Sequence, residues 1–491
     1  MTILSSLNRH PPEDIAVRVG ALELAYGRFV ADIDSAATRL AAEGVGEGLR
    51  VGIRSSTLAT GHTYANWVAH LATIRLGAAH VSIVEQGSLA AAITGGVIDS
   101  IIGPPRSFDN VPAAITRIEY DCDPRRPLAP ATPPPDREAS AARINLTSGT
   151  TGSPKFLTWN AAMIDARIAQ VGDGLPLGPD TILYPLLHIR TTAGFRYPIA
   201  VWQAGGCVLL PDDADARIRD SDGLARSTLI AASPVQLAER LQVFPDQWEG
   251  KAGRTIIILG GRLPSVVRDT ALKIACEILL IGYGSTETGS IALGPSDLID
   301  RLIGAVGYVR NGVKVEIVDA ARAAVPTGES GIVRIKTDLM SAGYETAVPG
   351  QEAGHFDDGY FYPGDIGRLF DDGLLAIEGR LTDTLNVGGW KVSAPELEAK
   401  LSFLPGIDDL VACVMPLAEG DLLTIAVVTR DDVDLTPIAT LIQAKLPNGR
   451  TFHLVRLKSI PRNAMGKVPR AMIANKLTAL YGASRKNLTS A

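Results

Sequence analysis

The sequence predicts an α/β protein: a large N-terminal domain of parallel α/β sheets carrying a small barrel-like β subdomain, followed by a small α+β C-terminal domain. Three observations predict it. Strand-like and helix-period segments alternate through the first part of the chain, as parallel strands with helical crossovers require. Most later strand candidates are continuous apolar runs, the pattern of strands covered on both faces. From about Gly304 the runs shorten and are separated by Gly/Asp turns, and after Arg380 the pattern changes once more.

In chain order, ELAY reads as a strand, the Ala/Leu-rich FVADIDSAATRLAAEGV as a helix, LRVGI as a strand, and NWVAHLATIRLG as a helix ending on Gly77. The Pro-rich PLAPATPPPDREAS is an exposed connection leading into the strand INL. TILYPLL, CVLLP, STLIAAS, TIIILGG and EILLIGYG supply further strands. VKVEIVD, GIVRIKT and GRLFDDGLLAIEG, the last with an Asp-Asp-Gly hairpin turn, form the antiparallel, barrel-like part. Beyond it PELEAKLSF and TPIATLIQAKL read as helices, DLVACVMP and LTIAVVTR as strands. The domain boundary is expected near Leu381, giving domains 1–381 and 382–491.

A length of 491 residues at 46% hydrophobic content exceeds the roughly 100–200 residues of one domain and can bury a large core. Lys+Arg 47 against Asp+Glu 53 gives a net charge of -6, so no global field draws nucleic acid or an anionic membrane, and any phosphate site must be local. Cys122, Cys207, Cys276 and Cys413 stand singly, which suggests reduced core thiols rather than a zinc or disulfide framework. The start, MTILSSLNRHPPED, has no basic segment followed by an apolar run, and no run approaches the ~20 residues that span a bilayer. A soluble, cytoplasmic protein is expected.

The strongest chemical signal is TSGTTGSPK, Thr147 to Lys155, directly after a strand. Glycines let backbone N–H groups approach an anion, hydroxyls add donors and the lysine neutralises charge, so the loop suits a triphosphate. It lacks the GxxxxGK[ST] spacing of a Walker A loop. Further motifs follow: YGSTETG (Tyr283 to Gly289), YPGD (Tyr362 to Asp365), GRLTD (Gly379 to Asp383), VGGWKVSAPELE, and PRNAMGKVPR (Pro461 to Arg470).

In these motifs, and in their order over nearly the whole chain, the sequence resembles the adenylate-forming enzymes, which include acyl-CoA synthetases, adenylation domains of peptide synthetases and firefly luciferase. The resemblance implies that Thr147, Ser148, Thr150, Thr151 and Lys155, with Gly149 and Gly152 between them, hold the β- and γ-phosphates of ATP. It implies that Glu287 coordinates Mg2+, an oxygen-seeking cation bound through carboxylate and phosphate. Tyr283, with Gly284 and Ser285, would lie at the adenine and Thr286 at the α-phosphate. Gly260 and Gly261 would form a loop beside the base. Asp365 would accept from the ribose hydroxyls and Arg380 would donate to ribose or phosphate. Lys467 would be the catalytic lysine, contacting the carboxylate and the α-phosphate as charge moves between them. The small C-terminal domain is implied to rotate between two half-reactions, bringing Gly388 and Gly389 to a pantetheine channel. His188 matches a position between the acyl pocket and that channel.

Some positions depart from the family pattern. Thr382 stands where the hinge is usually Asp or Lys, and Asn386 where a lysine is common; both fall in the half that serves the second step. Arg262 replaces a small residue and, with Arg190 and Arg196, supplies more positive charge than an apolar acid needs, which suggests pairing with a second acidic group on the substrate. YPLLHIRTTAGF lacks the aspartate with which many amino-acid-activating members of the family bind the amine, so the resemblance disfavours an amino-acid substrate. The expected reaction is ATP- and Mg2+-dependent activation of a small carboxylic acid and transfer to the thiol of coenzyme A. Alternatives are loading of an acyl carrier protein, amide formation with an amine, or a non-catalytic homologue; the last would have lost Lys467, Glu287 or the phosphate loop, and all are present.

Overall fold

In the computed structural model the chain runs α1 (Ile3–Leu7), β1 (Ile15–Val19), β2 (Leu22–Ala25), α2 (Tyr26–Ala42), β3 (Arg50–Arg54), α3 (Tyr64–Arg75), β4 (Ala79–Ile83), α4 (Gln86–Thr94), β5 (Ser100–Gly103), β6 (Thr116–Glu119) and β7 (Ala142–Thr147). It continues through β8 (Lys155–Asn160), α5 (Ala161–Gly172), β9 (Ile182–Pro185), α6 (Thr192–Gln203), β10 (Cys207–Leu210), β11 (Leu229–Ala232), β12 (Thr255–Leu259), β13 (Ile278–Ser285) and β14 (Gly289–Pro295). The residues described are 2–54, 63–83, 86–104, 108–147, 155–210, 221–243, 248, 252–345, 355–387, 390–402, 404–417, 420–447, 450–461 and 468–488.

Two compact units are present, one of residues 1–299, 306–314 and 335–361, the other of 300–305, 315–334 and 362–491. The boundary expected at Leu381 falls inside the second unit, in the single turn Leu381–Asp383.

The first unit holds two sheets. One is ordered β6-β5-β3-β4-β7-β8, parallel except for the antiparallel β7/β8 pair. The other contains the run β2-β1-β10-β9-β11-β12-β13-β14, in which every neighbour from β1 to β13 is parallel. The apolar runs behave as expected: β10 and β11 are buried at every position. One core joins Val51 and Ile53 of β3 to Leu183 of β9 and Val208 of β10.

Helices form the filling. On α2, Phe29, Ile33, Ala36, Ala37 and Leu40 recur every three or four residues and are buried. α3 shows no such stripe because it is buried nearly all round, at Trp67, Val68, Ala69, Leu71, Ala72 and Ile74; the side chain of Thr63 caps it by accepting from Asn66 N. Trp67 stacks on Phe195 of α6 at 5.9 Å and meets Trp202 edge-on at 5.0 Å, locking α3 to α6. Gly77, at φ +73°, ends the helix turn where a Cβ would fall 2.7 Å from the carbonyl of Arg137, so only glycine fits. The Pro-rich connection has no regular structure up to the short turn Glu138–Ser140, and it is tied down where Leu128 N donates to buried Asp32.

In the second unit Asp365–Leu369 and Leu374–Arg380 form an antiparallel pair across the Asp371-Asp372-Gly373 turn. Asp409–Leu417 and Gly420–Val428 pair antiparallel, with His453–Arg456 added in parallel, and helices Ala394–Leu401, Leu435–Lys445 and Arg470–Leu488 accompany them. All four cysteines are buried, and none forms a disulfide among the described residues. Burial pushes the Cys207 thiol up to about 11. Among the described residues no helix is long and apolar enough to cross a membrane.

Candidate active site

The Thr147–Lys155 motif starts on the last residue of β7 and ends on the first residue of β8. β7 and β8 pair antiparallel from Ala142↔Asn160 to Thr147↔Lys155, so the residues at either end of the motif face each other across the ladder. Ser148, Gly149, Thr150, Thr151 and Gly152 lie outside the described residues, as do Gly388, Gly389 and Lys467. Lys155 is buried, and its ammonium lies 4.7 Å from the centre of the Tyr344 ring, a cation–π distance. Tyr344 arrives beside β8 because Glu345 N donates to the carbonyl of Phe156 at 2.8 Å.

The Tyr-Gly-Ser-Thr-Glu motif ends β13 and turns into β14. The register shifts between Tyr283 and Gly284, and a Cβ on Gly284 would lie 2.2 Å from the carbonyl of Gly289, so the turn needs glycine there. Ser285 closes it: its hydroxyl accepts from Thr288 N at 3.2 Å and lies 2.9 Å from the Thr288 hydroxyl. Tyr283 and Thr286 are half-buried. Glu287 is buried at 8% exposure, and its carboxylate accepts from the Tyr344 phenol at 2.7 Å. Lys155, Tyr344 and Glu287 therefore form one chain of contacts linking the β7–β8 pair to the turn.

His188 follows β9, where its Nδ1 accepts from Arg190 N at 3.1 Å; an accepting Nδ1 carries no proton, which in the neutral ring leaves the proton on Nε2. Its carbonyl accepts from the Thr191 hydroxyl at 2.7 Å, and a Cβ on Gly194 would collide with that carbonyl. Of the three arginines singled out, Arg190 is half-buried and Arg262 exposed, the latter directly after Gly260 and Gly261 on the loop leaving β12. Gly260 has φ +83°, a conformation that favours glycine. Arg196 is buried, and its Nη1 donates to the carbonyl of Arg167 at 3.0 Å and to Gln170 Oε1 at 3.4 Å.

In the second unit Asp365 and Arg380, distant in sequence, are register partners in one strand pair. Arg380 Nε meets Asp365 Oδ1 at 2.8 Å and its Nη1 donates to the carbonyl of Pro363 at 3.0 Å. Asn386 is exposed on the strand Thr384–Val387, and Thr382 lies in the turn Leu381–Asp383. Arg470, at the end of the lysine motif, joins two other motifs: it lies 2.5 Å from Glu398 and 3.6 Å from Asp383.

Three residues around the site went unread in the sequence. Tyr344 orients Glu287. Arg143, fully buried on β7 and 3.8 Å over the Phe195 ring, donates to the carbonyl of Ile189 at 2.8 Å and so braces the chain beside His188. Burial pushes its guanidinium down to about 9. Arg167, on α5, holds the carbonyls of Thr286 and Glu287. A signal existed for it: Arg167 sits on the stripe formed by Ile164, Ile168 and Val171, where a helix facing the core should be apolar.

An AMP-binding enzyme family model matches residues 102–345. The chain is similar to a 2-hydroxy-7-methoxy-5-methyl-1-naphthoate–CoA ligase of Streptomyces carzinostaticus, at 24% identity over 95% of this chain and 91% of the other. It resembles the solved structure of ATP-bound MatB from Rhodopseudomonas palustris with TM-score 0.84 and 23% identity, covering 98% and 99% of the two chains. It also resembles the amide bond synthetase McbA from Marinactinospora thermotolerans, TM-score 0.80 and 19% identity, over 97% and 99%. These structural likenesses establish the shared fold.

Proposed function

We propose that this chain is an adenylate-forming enzyme, an ATP-dependent acid–thiol ligase that activates a carboxylic acid as its adenylate and transfers the acyl group to coenzyme A. The observation that carries the reading is the contact chain Lys155–Tyr344–Glu287, which connects the β7–β8 pair to the turn bearing the acidic residue.

Glu287 fits Mg2+: it offers oxygen ligands, a neutral phenol orients it, and among the described residues its carboxylate makes no salt bridge. Mg2+ would neutralise phosphate charge and the departing pyrophosphate. Thr147 to Lys155 hold the β- and γ-phosphates, Tyr283 and Gly260–Gly261 flank the adenine, Thr286 meets the α-phosphate, and Asp365 with Arg380 holds the ribose. One substrate carboxylate oxygen attacks the α-phosphorus; the bond to the β-phosphate's bridging oxygen breaks and pyrophosphate leaves. A thiolate then attacks the acyl carbonyl carbon, and AMP departs with the electron pair of the C–O bond. No covalent enzyme intermediate is needed, so the residues act by positioning and charge neutralisation. Lys467 serves the first step and Gly388–Gly389 the second, which assigns the functional division to residues 1–381 and 382–491. Arg196 donates to carbonyls inside the fold. Recognition of a second acidic group on the substrate is assigned to Arg190 and Arg262. A cytoplasmic location is part of this proposal.

The test is acid-dependent pyrophosphate release with ATP and Mg2+ across a carboxylate panel, with and without coenzyme A, beside Lys467→Ala. Release with one acid, a CoA thioester product, and a fall of about 10²–10³-fold in the mutant are expected, as for loss of one transition-state contact. Adenylate without thioester would move the acceptor to a carrier protein or an amine. Folded, ATP-binding protein that releases no pyrophosphate with any acid would overturn the reading.

A further inference from the structure

The turn that carries Thr286 and Glu287 is held from behind by a cation. Arg167 is fully buried, its guanidinium 4.1 Å over the Trp159 ring. Nη1 donates to the carbonyl of Thr286 at 2.6 Å, and Nη2 to that of Glu287 at 2.9 Å, to that of Leu339 at 2.5 Å, and to the Ser341 hydroxyl at 3.5 Å. Ser341 N donates to the same Glu287 carbonyl at 2.8 Å. Among the described residues Arg167 makes no salt bridge and its Nε has no acceptor. Burial first, then the neighbouring Arg196 cation, push it down to about 9.

A buried cation without a counter-ion is costly, and an apolar side chain of similar size often serves stability as well or better. What an apolar side chain cannot supply is a planar fork that draws three carbonyls from two chain segments to one point. Those segments are the Thr286–Glu287 turn and the stretch 339–341, which leads to Tyr344. Glu287 is thus fixed twice: Arg167 grips its carbonyl, and Tyr344, delivered by the segment Arg167 also grips, orients its carboxylate. We propose that Arg167 is a positioning residue for the metal–nucleotide site, setting the Thr286–Glu287 turn and the Tyr344 segment in register so that the Glu287 carboxylate is presented in one orientation. The inference rests on reading Glu287 as the Mg2+ carboxylate of an adenylate-forming enzyme.

The experiment compares wild type, Arg167→Lys, Arg167→Met and Tyr344→Phe. Mn2+ binding is followed by water-proton relaxation in the presence of α,β-methylene-ATP, and acid-dependent pyrophosphate release is titrated separately with Mg2+ and with the acid. Arg167→Met should weaken Mn2+ binding about 10-fold or more and raise the Mg2+ requirement in parallel, with the KM for the acid within two-fold of wild type; a hydrogen bond to a charged group is typically of that magnitude. Arg167→Lys keeps charge but loses the fork and should fall between. Tyr344→Phe should shift the same two readouts in the same direction. A purely structural role would lower the active fraction and the melting temperature while leaving Mn2+ affinity and Mg2+ dependence unchanged in the surviving protein, and that result in Arg167→Met overturns the proposal. If Arg167→Met does not fold, wild-type metal affinity and Mg2+ dependence in Arg167→Lys overturn it equally. Wild type that binds no Mn2+ with the nucleotide and releases no pyrophosphate would instead overturn the functional reading on which the proposal stands.

Discussion

Removing Asp365 should abolish the enzyme's ability to distinguish ribose from deoxyribose. Its carboxylate is 3% exposed, faces Arg380 across a strand pair, and is met by Arg380 Nε at 2.8 Å. In the proposed role it accepts from both ribose hydroxyls, and a hydrogen bond to an ionised acceptor contributes about 1.5–3 kcal/mol. Two such bonds, partly replaced by water in the variant, put the loss for Asp365→Ala at about 3–4 kcal/mol, or roughly 150- to 900-fold in kcat/KM for ATP. The stability effect is small by comparison: Arg380 is more than a third exposed, so losing the pair costs on the order of 1 kcal/mol. The assay is isotope exchange between pyrophosphate and ATP, 2′-deoxy-ATP or 3′-deoxy-ATP. Wild type should lose about 10- to 150-fold with each deoxy analogue. Asp365→Ala should treat the three nucleotides within a few-fold of one another, because the acceptor they compete for is gone. A folded Asp365→Ala that discriminates as wild type does would refute the ribose assignment, whatever its overall rate.

Two further predictions concern the framework of the first unit. His80 is fully buried with its Nδ1 2.8 Å from His70 Nδ1, and the Ser82 hydroxyl lies 3.1 Å from His70 Nε2; burial, His70 and the Arg143 cation hold the His80 imidazole well below its usual range. The folded state keeps it neutral while the unfolded chain takes a proton near pH ~6.5, so stability should fall as pH drops below about 6.5, and His80→Gln should flatten the dependence of melting temperature on pH between about 6.5 and 5. An unchanged slope would show that His80 does not carry it. Asp32, 1% exposed, accepts from Arg28 Nε at 2.7 Å, the Tyr64 phenol at 2.8 Å and Leu128 N at 3.0 Å. Asp32→Ala strands those donors and should cost about 3–5 kcal/mol, read as a lower first unfolding transition and faster proteolysis between residues 123 and 137.

Short-range chemistry is what the sequence by itself determined. Alternating strand and helix segments, the fully buried runs of β10 and β11, the Asp-Asp-Gly turn and the glycine ending α3 depend on local propensity and period, and each appears in the folded chain where expected. The motif residues could be singled out as candidates because their residue types and order suit the chemistry proposed for them. Tertiary structure alone decided which of them touch. Nothing local says that Lys155 meets the ring of Tyr344, that Asp365 and Arg380 are register partners, or that Arg470 reaches Asp383 and Glu398, since such contacts depend on strand register and packing. The buried arginines make the same point. Arg143 went unread, Arg196 read as a substrate contact, and only its place on an apolar stripe marked Arg167, yet each spends its guanidinium on backbone carbonyls inside the fold. A backbone carbonyl exists at every position, so no residue pattern marks the one an arginine will find; only the meeting of distant segments creates the acceptor site.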